Sequence, residues 1–300
     1  MRVAFSPIYR YGLLPEGHRF PMDKYDLLPI QLLREGTLEE KDFFHPEPLT
    51  EEQILRTHSF NYWNKLKHGT LSRKEIRAMG FPFDDSLVWR GRHIANGTLQ
   101  CARYAKENGV ALNIAGGTHH AYADRGEGFC LFNDIAIASN ELIHNGEVDN
   151  VLIIDLDVHQ GNGTASIFQD NPRVFTFSMH GEHNYPLRKE VSDLDIGVPD
   201  GINDHEYLSI LEKTLIDLES RVIPDIIFYL SGVDVLKSDK LGRLGMTIEG
   251  CRQRDAMVFE FCAKQNIPVA VSMGGGYSVH IKDIIEAHAN TFREAKRVFT

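Results

Sequence analysis

Residues 151–160 read Val151-Leu152-Ile153-Ile154-Asp155-Leu156-Asp157-Val158-His159-Gln160. The opening Val-Leu-Ile-Ile is continuously apolar and mostly β-branched. That is the pattern of a strand covered on both faces, not of one alternating between core and water. The run then gives way to Asp-x-Asp-x-His, so polar chemistry begins where the strand ends. An open parallel sheet places its ligand crevice beyond the carboxyl ends of its strands. The question is whether other strands of this chain end the same way.

Further short apolar or β-branched runs lie at Val3–Ser6, Ala111–Ala115, Val174–Ser178, Asp225–Leu230 and Pro268–Ser272. Between them stand longer segments of helical spacing, the clearest being Ser86–Asn108, Leu131–His144, Asp204–Arg221, Thr247–Gln265 and Val279–Val298. Asn108-Gly109, Asn145-Gly146 and Asn266 sit where helix stops are wanted. Strands alternating with helices predict an α/β protein, a parallel sheet with helices on both sides. The stretch from Tyr11 to Phe83 is less regular and holds Pro15, Pro21, Pro29, Pro46, Pro48 and Pro82. It is expected to supply short helices and loops over one end of the sheet. No linker, repeat or low-complexity tract interrupts the pattern, so one domain is expected over residues 1–300.

Composition narrows the classes. Apolar residues make up 42% and charged residues 25% of the chain, which excludes disordered, collagen-like and coiled-coil readings. With 32 Lys+Arg against 42 Asp+Glu the net charge is −10, and an acidic chain gains nothing from counterion release on nucleic acid. No apolar run reaches the roughly 20 residues of a membrane span, and the N-terminal residues lack a secretory pattern. Cys101, Cys130, Cys251 and Cys262 form no C-x-x-C pair, which suits reduced thiols in a cytoplasmic protein.

Four of the expected strands run into reactive residues. Ala111–Ala115 leads to Gly116-Gly117-Thr118-His119-His120, and Val151–Leu156 to Asp157 and His159. Asp225–Leu230 leads to Ser231-Gly232-Val233-Asp234, and Pro268–Ser272 to Gly274-Gly275-Gly276-Tyr277. In an extended chain residues two apart share a face at about 6–7 Å, while Asp155 and His159 would lie about 13 Å apart. Two of the three can therefore share an ion. Asp157 and His159 are the expected pair, with Asp155 behind them and Asp234 adding an oxygen from another strand end. Taken alone, the motif also admits an aspartate that caps the next helix and a histidine at the surface. An oxygen and nitrogen donor set with an open position suits Zn²⁺ or Fe²⁺. The His119-His120 pair follows glycines that let the backbone approach a ligand, and an imidazole there can serve as general base. The glycine turn before Tyr277 can aim its hydroxyl at a developing oxyanion.

With these residues assembled, the chain resembles the histone deacetylase-type metallohydrolases, most closely their class IV branch. The carriers are GGTHHAYADRGEGFCLFND at 116–134, DLDVHQGNG at 155–163, SGVD at 231–234 and MGGGY at 273–277, in the family's order and spacing. The resemblance implies a three-layer α/β/α arginase/deacetylase fold around a mostly parallel sheet of about eight strands. It implies Asp157, His159 and Asp234 as Zn²⁺ ligands, His120 as general base and acid, and His119 as its electrostatic partner held by Asp155. Tyr277 would polarise the scissile carbonyl. Gly128 and Phe129 would line one side of an acyl-lysine tunnel, with Tyr185 opposite, Leu241 near the mouth and Gly275 and Gly276 along the wall. Asp155, Ser178 and the carbonyls of Asp157, His159 and Met179 match a structural monovalent-cation site, usually K⁺; Phe168 and Val174 would lie near a second, weaker one.

The implied activity is hydrolysis of N-ε-acyl-lysine amides, acetyl or long-chain fatty acyl, on a peptide or protein. Asn162 stands where class I members carry an aspartate behind the general base, so His120 should be less basic than theirs. For an acidic clamp at the tunnel rim the candidates are Asp84 and Asp85. Three other functions compete. A dinuclear ureohydrolase would want an aspartate at Gly161 and a second one after Asp234. A deacetylase of small amines such as acetylpolyamines would favour acidic residues at the rim. A non-catalytic acyl-lysine binder would be expected to have lost a ligand or Tyr277. Without a basic targeting run or disordered tail, a prokaryotic cytoplasm is the expected setting; nothing in the sequence marks an oligomeric state.

Overall fold

The computed structural model describes residues 1–300. Its strands are β1 (Arg2–Ala4), β2 (Phe43–Phe44), β3 (Val110–Asn113), β4 (Val151–Asp155), β5 (Val174–Gly181), β6 (Leu194–Val198), β7 (Ile226–Leu230) and β8 (Val269–Ser272). They form one sheet in the order β2-β1-β3-β8-β7-β4-β5-β6, and every pairing is parallel. The four central strands, β3, β8, β7 and β4, are buried at every position, which is why their sequences show apolar runs instead of alternation.

Two strands escaped the sequence reading. β6 lies at an edge, and Leu194-Asp195-Ile196-Gly197 alternates half-buried with exposed, so it has no continuous apolar run. β2 is only the pair Phe43–Phe44 at the opposite edge.

The helices are α1 (Lys24–Arg34), α2 (Glu51–Leu55), α3 (Phe60–Lys67), α4 (Arg73–Met79), α5 (Asp85–Asn108), α6 (Asp134–His144), α7 (Asn162–Phe168), α8 (Asp204–Arg221), α9 (Ile248–Lys264) and α10 (Ile281–Phe299). Helices α8, α9, α10 and α1 pack side by side in one layer, and α5 with α6 forms the other, giving the expected three-layer fold. The long α5 starts at the Asp84 side chain, which accepts from Leu87 N–H, and stops at Gly109, whose φ of +81° suits glycine. Pro29, counted among the breakers of the irregular stretch, sits inside α1. That stretch does more than cover one end of the sheet. Its α1 docks on α10, α2 on α6 and α3 on α5, thickening both helical layers. No helix is long and apolar enough to cross a membrane.

One buried ion pair ties α9 to the strand ends. Arg254 Nη1 donates to the carbonyls of Leu156 and Gly232 at 3.2 and 2.6 Å, while Nε and Nη2 donate to Asp255 Oδ1 at 2.9 and 2.8 Å. Asp255 also accepts from Tyr229 and Thr291, and both members of the pair are fully buried. Arg254→Met would strand the Asp255 charge and free both carbonyls, a loss of about 3–5 kcal/mol. Denaturant unfolding measures it; a change under about 1 kcal/mol, the net worth of a simple hydrogen bond, contradicts this account of the pair.

Candidate active site

The four central strands end level with one another. Asp155 pairs with Leu230, Leu230 with Ser272, and Ser272 with Asn113. The segments that follow therefore meet over one part of the sheet, although they are far apart in sequence.

From the end of β4, Asp157 and His159 meet Asp234 from beyond β7, with their ligand atoms all within 4.8 Å of one another. His159 Nδ1 lies 3.0 Å from Asp157 Oδ1 and 3.2 Å from Asp234 Oδ2. The carboxylates are held by main-chain donors: Val158 N–H donates to Asp234 Oδ1 at 3.0 Å and Gly275 N–H to Asp157 Oδ2 at 2.8 Å. Glycine is required at Gly275. A Cβ there would lie 2.1 Å from Asp234 Oδ2 and 2.7 Å from Asp157 Oδ2. Burial and the neighbouring Asp157 carboxylate push Asp234 up to about 7, and its Oδ2 is buried without a hydrogen-bond donor. Two carboxylates and an imidazole converging on one point, one of the carboxylate oxygens being the unsatisfied Asp234 Oδ2, fit a single divalent ion.

Asp155 stands apart, as the strand geometry predicts. Its Oδ1 accepts from Asp157 N–H at 3.1 Å and its Oδ2 pairs with His119 Nδ1 at 2.7 Å. Burial alone would lower His119, but the Asp155 carboxylate overrides it and holds the imidazole up at about 9. The His119 and His120 rings sit 4.1 Å apart. Burial, followed by the charges on His119 and His159, drives His120 well below its ordinary value. Its Nδ1 is 2.6 Å from Asn162 Oδ1. Asn162 Nδ2 donates to Tyr122 Oη at 3.0 Å, and Tyr122 donates to Glu190 Oε1, also at 3.0 Å. That chain fixes the amide's orientation and so assigns the proton of His120 to Nδ1.

Tyr277 lines the same cavity as His120, His159 and Phe129. Its N–H donates to Asp239 Oδ2 at 2.6 Å, and its ring lies 5.9 Å from that of Phe129. Burial and the Asp234 charge raise its phenol well above the usual value. Gly128 and Phe129 both adopt positive φ, +53° and +68°. A Cβ at Gly128 would strike the His120 ring at 2.6 Å, and Phe129 is held in its strained conformation by N–H donation to the Met79 carbonyl at 2.8 Å. Opposite, Tyr185 packs its ring edgewise 5.0 Å from His120 and anchors its hydroxyl on Glu127 at 2.7 Å. Leu241 lines the outer part of the cavity.

Two expectations need correction. Gly276 does not line the cavity: a Cβ there would meet Val233 at 2.6 Å and Ile284 at 3.2 Å, so it faces the core. Nor do Asp84 and Asp85 stand on the cavity's rim; Asp84 is occupied capping α5 and accepting from Tyr11 and Ser86. At the expected cation site, Asp155 and Ser178 are register partners on β4 and β5, with Met179 buried next to Ser178 and Phe168 and Val174 at the far ends of α7 and β5.

Sequence reasoning missed several residues of this region. Asp134, in the first turn of α6, accepts from Gly117 N–H, Thr118 N–H and Oγ1, Thr98 Oγ1 and Ser272 Oγ, so it shapes the loop that carries both histidines. Asn133-Asp134 ahead of a helical run was the available signal. Lys24, fully buried, donates to the Gly274 carbonyl at 3.2 Å; burial lowers it to about 8 against the pull of Asp234 and Asp157. No local pattern marked it.

Comparison with known proteins places the chain in a family. The histone deacetylase domain model matches residues 18–292. An uncharacterised protein of Picosynechococcus is 44% identical over 99% of both chains. Histone deacetylase 2 of Arabidopsis thaliana is 35% identical over 87% of this chain and 70% of its own. Among solved structures, an HDAC homologue complexed with SAHA superposes with a TM-score of 0.85 at 25% identity, over 99% of this chain and 84% of that one. One from Aquifex aeolicus gives 0.86 at 24%, with the same coverage. The sheet topology and the chemistry at its carboxyl end define an α/β deacetylase-type hydrolase fold. The chain belongs to the histone deacetylase family, and that membership supports hydrolytic deacetylation.

Proposed function

We propose that the protein hydrolyses N-ε-acyl-lysine amides of peptides or proteins. The observation that carries the reading is the convergence of Asp157, His159 and the buried Asp234 beside a cavity lined by His120, His159, Phe129 and Tyr277, with Tyr185 on its outer wall. Asp157, His159 and Asp234 would hold one divalent ion, Zn²⁺ or Fe²⁺, which when bound polarises the acyl carbonyl and makes water more acidic. Asn162 keeps the His120 proton on Nδ1, so the Nε2 lone pair takes the proton of the attacking water and returns it to the departing amine. Protonated His119, fixed by Asp155, adds positive charge beside the developing anion. The Tyr277 phenol stays protonated and donates to the oxyanion. Phe129 and Tyr185 exclude water around the lysine stem.

The cavity continues inward past Phe20, Tyr25, Arg90, Ile94 and Thr118, a small space of mixed polar and apolar lining that would receive the acyl group. Turnover on acetyl-, octanoyl- and myristoyl-lysine peptides tests the reading and measures that depth; no hydrolysis of any of the three overturns it. Asn162 and the four motif segments support the class IV affinity. An all-oxygen set of Asp155, Ser178 and the carbonyls of Asp157, His159 and Met179 would suit a structural K⁺. Residues 1–300 form one catalytic domain in this reading, supported by the single sheet and a core running from Val3 to Ala295. Four buried, unpaired cysteines suit the cytoplasm.

The neutral Asn162 sets the basicity of His120. A carboxylate in its place stabilises the imidazolium and raises the His120 pKa, so the inactive protonated form persists to higher pH. Asn162→Asp is expected to move the midpoint of the acidic limb of kcat/KM upward by about one pH unit. An unmoved midpoint contradicts the general-base role.

A further inference from the structure

We propose that the cavity mouth is built for an anionic partner: a peptide carrying Asp or Glu side chains beside its acylated lysine. The inference rests on the acyl-lysine reading above and names which acyl-lysines it concerns. Seventeen residues line the cavity from its mouth down to His120, His159 and Tyr277, and none is Asp or Glu although the chain carries a net charge of −10. Instead Arg19, Arg77 and Arg243 stand there, brought from the loop before α1, from α4 and from the loop beyond β7.

These arginines are not absorbed by internal partners. Arg19 and Arg77 are exposed, and their guanidinium groups make no ion pair or hydrogen bond within the molecule. Arg243 reaches Asp200 only at 3.5 Å, and Asp200 is shared with His183 at 3.4 Å. Exposed arginines elsewhere fall both ways: Arg10 and Arg221 hold a carboxylate at 2.9 and 2.6 Å, whereas Arg34, Arg73 and Arg188 hold none, so what distinguishes Arg19, Arg77 and Arg243 is their shared place at the mouth. The nearest acidic neighbours in the chain, Glu16 and Glu182, are exposed but outside the lining, and Glu127 is engaged by Arg125 and Tyr185. Between the arginines, Tyr185 and the exposed Leu187 offer apolar surface for a peptide's backbone and stems.

Guanidinium groups free at a cavity mouth attract carboxylates bidentately and repel ammonium groups. An acetylated polyamine or a lysine-rich tail would bring its remaining cations into this field. An acidic peptide would place one or two carboxylates within reach of Arg19 and Arg77 while its acylated lysine enters between Phe129 and Tyr185.

The test is kcat/KM on three acetyl-lysine peptides of equal length, flanked by acidic, neutral or basic residues. The acidic peptide is expected to exceed the basic one by about tenfold at low salt, with the ratio shrinking near 0.5 M salt as screening shortens to about 4 Å. In the Arg19→Glu/Arg77→Glu double variant the order inverts. The ratio is taken within each protein, so a general loss of folding or turnover cancels. Equal turnover of the three, or a basic preference in the unmodified protein, overturns this inference and leaves the deacylase reading intact. Failure on all three peptides instead strikes the deacylase reading on which it rests.

Discussion

Alanine at His120 lowers kcat/KM on an acetyl-lysine peptide by about 10²–10⁴-fold, the contribution of a positioned general acid and base. The expectation is specific to this imidazole. His120 is driven below its ordinary value by burial first and then by the charge on His119 beside it, and its Nδ1 proton is committed to Asn162, leaving Nε2 as acceptor. His119 sits 4.1 Å away, ring to ring, but is paired with Asp155 and held at about 9, so it carries a proton and cannot begin the reaction as a base. Substitution at His120 should act on kcat more than on KM, because in the proposed reading the acyl-lysine would be held by Phe129 and Tyr185, which line the outer cavity, and not by His120. Activity within about tenfold of the unmodified protein would remove His120 from the proton transfer.

The second large effect comes from a single methyl group. Gly275→Ala places a Cβ 2.1 Å from Asp234 Oδ2 and 2.7 Å from Asp157 Oδ2, and neither carboxylate can yield freely. Asp234 Oδ1 is held by Val158 N–H and Asp157 Oδ2 by the N–H of Gly275 itself. The convergence on His159 should open, weakening divalent-ion affinity by about 10–100-fold and activity with it. Isothermal titration of metal into the metal-stripped variant reads this directly, with circular dichroism to show an intact fold. Unchanged affinity would mean that these carboxylates do not share an ion.

How much of this was legible in the sequence depends on whether the signal was local. Central strands such as Val151–Asp155 announce themselves because burial on both faces demands an apolar run. The edge strand Leu194–Val198 needs only half of its residues inside and stayed hidden. The site was legible where its residues directly follow strands, because the strand-end rule converts chain position into spatial position. It was illegible where function comes from packing across the fold. Lys24 lies 250 positions from the Gly274 carbonyl it binds, and Glu190 acts on Asn162 only through Tyr122. The arginines at the mouth likewise come from three unrelated segments. Gly276 shows the opposite hazard: a residue within a correct motif can still turn toward the core.

The most direct measurement strips the protein with a chelator and restores Zn²⁺ in increments while following acetyl-lysine hydrolysis. With Asp157, His159 and Asp234 sharing one ion, activity is lost on stripping, rises linearly with added metal and levels off at about one equivalent. Turnover that survives stripping, or that climbs until about two equivalents are bound, contradicts a single hydrolytic centre.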